Sequence, residues 1–324
     1  MKTPAFQSGR TKKRTSRSPT RLPTLALLAS CCPGALLAAD NMGEGRPDAK
    51  SPWTPFARGG YVHQFNGDLD GGGKFDIDRF FLEGGMSYSM GPRRRISFSV
   101  GAGSDRYDFS GDLGFVEKPW DRINQLRFSL PVTWAFDEQW TLLAIPTLRF
   151  YGESGASFGD SATGGALAGV SYRFSDSLTI GPGLGVLSQI EDSVSIFPIL
   201  IVDWKITDRI SLETGRGLGA TEGPGLNLNY RPSDTWSFGL GGRYESLRFR
   251  LDDSGFAPDG VGEDRSIPVY LSATYSRGRD LQISAIGGVK FNGELRLEDS
   301  QGRRLARVDY ETAPFLGATF NIRL

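Results

Sequence analysis

From Trp53 to the carboxyl terminus, apolar and polar residues alternate with a period of two. Between residues 126 and 134 the apolar set is Leu126, Phe128, Leu130, Val132 and Trp134, separated by Arg127, Ser129, Pro131 and Thr133. The same period runs through Ile267, Val269, Leu271, Ala273 and Tyr275, and through Leu281, Ile283, Ala285, Gly287, Val289 and Phe291. A pleated strand sends successive side chains to opposite faces. The pattern therefore predicts strands with one greasy face and one small or polar face. No helical period is sustained, and no apolar run beyond residue 53 reaches the length of a membrane helix.

Six tight turns are predicted, near Met90–Arg93, Phe136–Gln139, Phe174–Ser177, Ile206–Arg209, Pro232–Thr235 and Ser276–Asp280. Seven longer or more polar connections alternate with them. These fall near Gly67–Asp76, Ser110–Asp121, Glu153–Ser161, Glu191–Ser193, Gly217–Gly223, Asp253–Arg265 and Asp299–Leu305. Thirteen connections make fourteen strands, an even number with both ends on the short-turn side. Twelve is the alternative if the short, glycine-rich pair Ile210–Arg216 and Pro224–Tyr230 does not cross.

Four of the six tryptophans sit beside the tight turns: Trp134, Trp140, Trp204 and Trp236. A tryptophan ring favours the membrane interface, with its body in apolar surroundings and its polar edge hydrated. A soluble sandwich would share the alternation. Strands of about ten residues, a polar face of glycine, serine and charge, and tight turns alternating with long loops favour lipid outside the greasy face. An open sheet edge would leave amides unpaired in hydrocarbon, so the sheet must close. The expected fold is all-β: a closed antiparallel transmembrane barrel of about 14 strands, with short periplasmic turns and longer extracellular loops.

The first 39 residues read as an export signal. Lys2, Arg10, Lys12, Lys13, Arg14, Arg17 and Arg21 precede a mostly apolar run from Leu22 that ends in Leu37-Ala38-Ala39. Cleavage after Ala39 is expected; the alternative is lipoprotein processing at Cys31, because Leu28-Ala29-Ser30-Cys31 resembles an acylation site. Cys31 and Cys32 are the only cysteines, so either route leaves the barrel without a disulfide. Residues 40–52 are polar and read as a flexible periplasmic leader, and 53–324 as the barrel. The whole chain balances 37 basic against 37 acidic residues; without the signal this becomes 37 − 7 = 30 against 37, a formal charge of −7. Such a body does not suggest a nucleic-acid binder.

The chain ends Gly317-Ala318-Thr319-Phe320-Asn321-Ile322-Arg323-Leu324, alternating to its last residue. This resembles the terminal strand by which bacterial outer-membrane barrels are recognised for insertion, although those usually end in phenylalanine or tryptophan. The turns Tyr172-Arg173-Phe174-Ser175-Asp176-Ser177-Leu178 and Tyr230-Arg231-Pro232-Ser233-Asp234-Thr235-Trp236 share one style. Together these features resemble Gram-negative outer-membrane β-barrels, and in particular uncharacterised barrel families known only as domains of unknown function. The resemblance implies residence in the outer membrane, with lipid and the barrel-assembly machinery as partners. It carries over no active residue.

The face opposite the lipid set would line the lumen. It holds the candidates Arg58, Glu83, Arg127, Arg149, Arg243, Glu245, Lys290 and Glu311. Asp105, Arg173, Asp203, Lys205, Glu294 and Arg323 belong to the same set. Such charges can form a structural lattice or set the selectivity of a pore. Mixed sign argues against strong selectivity for one ion class. The expected role is a porin-like channel or passive transporter of small solutes. The alternative is a sealed barrel acting through its outer loops, chiefly Asp253–Arg265 and Ser110–Asp121. Lipid hydrolysis is a distant third: the single histidine, His63, shares the outward face of Tyr61 and Phe65. Asp252, Asp253, Asp259, Glu263 and Asp264 lack the order of a calcium loop and read as solvated. Gly181-Pro182-Gly183-Leu184-Gly185 and Gly215-Arg216-Gly217-Leu218-Gly219 open no helix and carry no nucleotide-loop lysine. No cofactor or metal is expected.

Overall fold

The protein is described by a computed structural model covering residues 51–112, 118–214 and 225–324. The expected signal, almost all of the leader and the connection Gly217–Gly223 lie outside the described residues. The strands are β1 (Trp53–Asp68), β2 (Lys74–Ser89), β3 (Arg94–Ser110), β4 (Arg122–Ser129), β5 (Val132–Ala135) and β6 (Trp140–Glu153). Next come β7 (Ala162–Ser175), β8 (Leu178–Gln189), β9 (Asp192–Lys205), β10 (Ile210–Thr214), β11 (Gly225–Tyr230) and β12 (Trp236–Arg243). The last are β13 (Glu245–Arg250), β14 (Val261–Arg277), β15 (Leu281–Glu298), β16 (Arg304–Tyr310) and β17 (Ala313–Arg323).

Consecutive strands pair antiparallel, and β17 returns to β1, from Phe56 opposite Arg323 to Gln64 opposite Phe315. Three staves of the wall are each two segments in line: β4 with β5, β12 with β13, and β16 with β17. The seventeen segments thus form a closed barrel of fourteen staves. The β4–β5 break falls at Pro131, which has no N–H to give the ladder. The β10–β11 pair, described over Ile210–Thr214 and Gly225–Tyr230, pairs on both sides.

The alternation places Leu126, Phe128, Leu130, Val132 and Trp134 on the outside and Arg127, Ser129 and Thr133 on the inside. Leu130, Ile283 and Leu271 are 43%, 48% and 65% exposed, and no second protein layer covers them. A continuous belt of bare apolar side chains around a closed sheet is what lipid, not water, accepts. Aromatic pairs mark its short-turn end: Trp53 with Tyr88, Trp140 with Tyr172, and Trp236 with Tyr275, their centroids 4.7, 4.8 and 5.5 Å apart. In the turn between, Asp137 accepts the N–H groups of Trp140 at 2.6 Å and Gln139 at 2.8 Å. Those two bonds hold its carboxylate below the usual range.

At the opposite end the strands run further than the expected loops allow. The connection expected over Gly67–Asp76 shrinks to residues 69–73, and Val261–Arg265 is strand, not loop. Three neighbouring staves break step there. An extra residue enters β1 between Gln64 and Gly67, β15 bulges at Asn292 (φ 48°), and β16 gives way to β17 at residues 311–312. A bulge reverses which residues face inward. Lys290 faces the lumen below Asn292, whereas Leu295 and Leu297 face it above. Gly293 is required beside this bulge, because a Cβ there would lie 2.0 Å from the Tyr310 ring.

Beyond this line β13 leaves the course set by β11 and crosses the lumen, where Arg250 bridges Gly152 of β6 in parallel. Leu247, Phe249, Leu295, Leu297 and Tyr310 then pack against Phe75, Ile77, Tyr107, Ile123 and Tyr151 from the facing strands. Trp120 joins them edge-on to Phe249 at 5.2 Å and is 3% exposed. So the segments expected to be polar surface, Ser110–Asp121 and Asp253–Arg265, instead put Trp120, Ala257, Val261 and Asp264 inside.

Phe249→Ala should cost about 3–5 kcal/mol, as for other large aromatic truncations in packed cores. The measurement is denaturant unfolding of the detergent-solubilised protein, followed by heat-modifiable gel migration. An unchanged midpoint would show that the outer end is not packed around this ring.

Candidate functional site: the charged lumen

Below the apolar plug the lumen changes character. Arg58 Nη2 lies 2.6 Å from Glu83 Oε1, and Arg79 Nε lies 3.1 Å from Asp105 Oδ2. Gln125 donates to the same Asp105 oxygen at 3.0 Å. Glu245 Oε2 stands 3.6 Å from both Arg79 Nη1 and Lys290 Nζ. Arg58, Arg79, Glu83, Asp105, Gln125 and Glu245, together with Asp264, line a cavity of about 40 Å³. That volume suits a few water molecules. Asp105 is fully buried, and its Oδ1 accepts no hydrogen bond; neither amide atom of Gln64, also buried, has a partner. A buried polar atom left this way costs about 1–3 kcal/mol unless something polar visits it.

Toward β6, Arg127 and Arg149 stand directly opposite each other on β4 and β6. Both use Tyr151: Arg127 donates to its hydroxyl, and the Arg149 guanidinium lies 5.3 Å from its ring centre. Across the lumen Arg243 donates to Tyr270 Oη at 3.2 Å, and Tyr270 donates to Asn227 at 2.8 Å.

Seven of the eight candidate charges, all but Glu311, occupy inward positions. Glu311 does not, because it falls in the break between β16 and β17. It is exposed there, its N–H bonded to Asp68 O at 2.9 Å. Arg173, Asp203, Lys205 and Arg323 take inward register positions at the short-turn end. Glu294 lies past the Asn292 bulge and joins a different group. Arg79 was missed, although it precedes Glu83 by four residues on the same face and that spacing alone would have found it.

The second group lies on the far side of the crossing hairpin. Glu263, 1% exposed, has Arg265, Arg248 and Arg296 at 2.5, 3.6 and 3.9 Å. Arg248 also reaches Glu298 at 2.5 Å and the carbonyl of Ile190 at 2.7 Å. Arg250 holds Glu191 at 2.6 Å and the carbonyls of Asp259 and Asp160 at 2.7 and 3.2 Å. The reading of Glu263 and Asp264 as solvated fails for this reason. Asp264 is buried and accepts the hydroxyls of Tyr107 and Tyr310, each at 3.0 Å. Among the described residues no group of acids or histidines could hold a metal ion.

Trp140, Trp204 and Trp236 are 44%, 41% and 45% exposed at the short-turn end. Trp134 sits with them, the Arg94 guanidinium 5.1 Å from its ring centre. His63 faces outward, its Nδ1 2.8 Å from Asp78 Oδ1 and its ring 4.6 Å from that of Phe65. Tyr61 donates to the same carboxylate oxygen.

The architecture and lining define a closed, lipid-facing β-barrel with a charged interior. Residues 119–323, more than half the chain, match the family described as "Domain of unknown function (DUF6268)", and the chain belongs to it. No curated protein matches the sequence. Among solved structures, the COG4313 outer membrane channel from Pseudomonas putida F1 aligns with TM-score 0.49 and 10% identity, over 87% of this chain and 100% of that one. A Pseudomonas aeruginosa FadL homologue aligns with TM-score 0.41 and 11% identity, over 91% and 97%. The P. putida toluene transporter TodX gives 0.43 and 9%, over 85% and 90%.

Glu263→Ala would leave Arg248, Arg265 and Arg296 facing one another without their shared carboxylate. Breaking such a buried group by removing one partner typically costs about 3–5 kcal/mol. Amide hydrogen exchange in β13 and the outer half of β14 should accelerate, with exchange in β7 and β8 unchanged. Equal protection in the variant would remove Glu263 as the anchor of the hairpin.

Proposed function

We propose that the protein is an outer-membrane channel for small solutes, shut in this conformation by the β13–β14 hairpin. The observation that carries this reading is the contrast between two levels of one lumen. The outer level is filled with apolar side chains. The middle level keeps Arg58, Arg79, Glu83, Asp105 and Glu245 around a cavity. A barrel serving only as a scaffold gains nothing from that arrangement, since well-packed apolar residues of similar volume stabilise at least as well. The closing hairpin is tied to the wall it meets by side chains more than by backbone. It meets β6 through a single bridge, and Arg248 and Arg250 tie it to carbonyls and carboxylates of the opposite wall.

A second reading keeps the barrel sealed and gives it a structural or recognition role. The packed apolar core at the outer mouth favours it.

Planar-bilayer recording separates the two. The native protein should give brief, infrequent unit steps. The double variant Arg248→Ala with Arg250→Ala should open several-fold more often, with the step size kept. Silence from both proteins over repeated insertions, with heat-modifiable folding verified, would leave the sealed barrel as the answer.

A further inference from the structure

On the outward face of β2 to β6 the lipid belt gives way to charge in a fixed order. One cross-strand row reads Leu82, Ala102, Leu126 and Phe150, and the next Phe80, Ser104, Asn124 and Gly152. Two residues further toward the outer end come Asp78, Arg106 and Arg122. Phe80 and Leu82 are bare, so hydrocarbon reaches their height. Arg106 and Arg122 are exposed, direct cross-strand partners, and the first charges beyond the belt on β3 and β4.

A second observation falls on the same stretch of wall. Phe158, in the connection between β6 and β7, stacks on Phe150 with ring centres 4.0 Å apart and planes within 10°, yet it is 60% exposed. A ring so bare on the outer face of a barrel belongs to the membrane interface. Beside it Asn124 donates to Ser154 Oγ at 2.9 Å, and the Ser154 N–H donates to the Arg122 carbonyl at 2.9 Å. An aromatic shelf, two small polar side chains and two arginines therefore adjoin.

The acids nearby are engaged or stand further out. Asp78 accepts Tyr61 and His63 from β1, and it attracts Arg106 only from beyond ion-pair distance. Asp121 pairs with Lys118 at 3.2 Å, and Glu153 takes the N–H groups of Asp121 and Asp252. Asp76 and Asp108 face each other one row further from the lipid. Counting Lys118, three cations meet these five acids, so the patch is not basic as a whole. Position decides the matter instead. A phosphate at the edge of the hydrocarbon meets the arginines before Asp76 and Asp108. Neither arginine has an ion pair among the described residues.

We propose that this stretch of wall binds a phosphorylated lipid of the outer leaflet. Arg106 and Arg122 hold its phosphate, and its chains lie against Leu126, Phe150 and Phe158. Side chains directly opposite across a ladder start about 5 Å apart, and like charges so placed are mildly destabilising. Two guanidinium forks at that spacing match the oxygens of one phosphate. The site lies outside the barrel and does not depend on the channel reading.

Native mass spectrometry of the detergent-solubilised protein, titrated with diphosphorylated lipid A, tests it. The native protein should carry one lipid A at concentrations where Arg106→Gln with Arg122→Gln carries several-fold less. Phe158→Ala should also weaken binding, and Arg304→Gln, at an exposed arginine on β16, should leave it unchanged. Fully dephosphorylated lipid A should bind several-fold more weakly than the phosphorylated form. All four side chains are exposed, and heat-modifiable migration verifies the barrel in each variant. Undiminished binding in the double glutamine variant, or equal binding of the dephosphorylated lipid, overturns the proposal. Inorganic phosphate bound as tightly as the lipid would make this a free-phosphate site and dismiss the lipid.

Discussion

Backbone hydrogen bonding in a medium without water governs this structure. Hydrocarbon offers no partner to a free N–H or carbonyl, so every strand in the lipid belt must be flanked on both sides. The return of β17 to β1 meets that demand, and its nine-residue register leaves neither chain end as an open edge. The constraint relaxes most where the wall leaves the lipid. There the strands of one side take bulges at Gln64–Gly67 and Asn292, and one strand breaks at residues 311–312. There too β13 abandons its place behind β11. Freedom from lipid is what lets a wall strand become a plug.

Closing fourteen staves creates a second problem. Eight strands enclose an interior that side chains alone can fill, whereas a larger ring leaves space. The protein fills it twice, in different ways. Above the bulge line the crossing hairpin supplies Leu247 and Phe249 to a packed apolar core. Along β6 to β9, Leu143, Ile145, Leu167, Leu187 and Phe197 form a second apolar patch, with Tyr244 from the hairpin base against it. Gly185 permits this patch, since a Cβ there would lie 1.9 Å from the Phe197 ring. Between the two lies the charged level, where the filling is incomplete.

The wall was legible in the sequence because lipid imposes a strict period of two on every strand it touches. Leu130, Val269 and Ile283 announce their outward direction by that period, and Arg58, Glu83 and Lys290 their inward one. The outer end was hard to read, because a bulge cancels the period and only Asn292-Gly293 hints at one. Asn292, a residue that takes positive φ more readily than most, does so at φ 48° and reverses β15, sending Leu295 inward in place of Glu294. The segment Asp253–Arg265 is rich in acids and glycine, the composition of a surface loop. Its buried partners, Tyr107, Tyr310, Arg248 and Arg296, all lie distant in sequence or on another strand. No local pattern could reveal that Asp264 meets two tyrosines across the barrel.

The inward charge raises a question of cost that bears on what the lumen is for. A buried ion pair returns little net stability, so pairs such as Arg58–Glu83 neither demand nor exclude a function. Arg127 opposite Arg149 also carries a cost, since like charges directly across a ladder repel, and Glu83 and Tyr151 offset it in part. Substituting one arginine by glutamine would relieve that penalty, and the strand geometry would accept it. The arrangement therefore adds little to folding by itself. It becomes intelligible in a lumen that water or a polar solute reaches, as the channel reading requires.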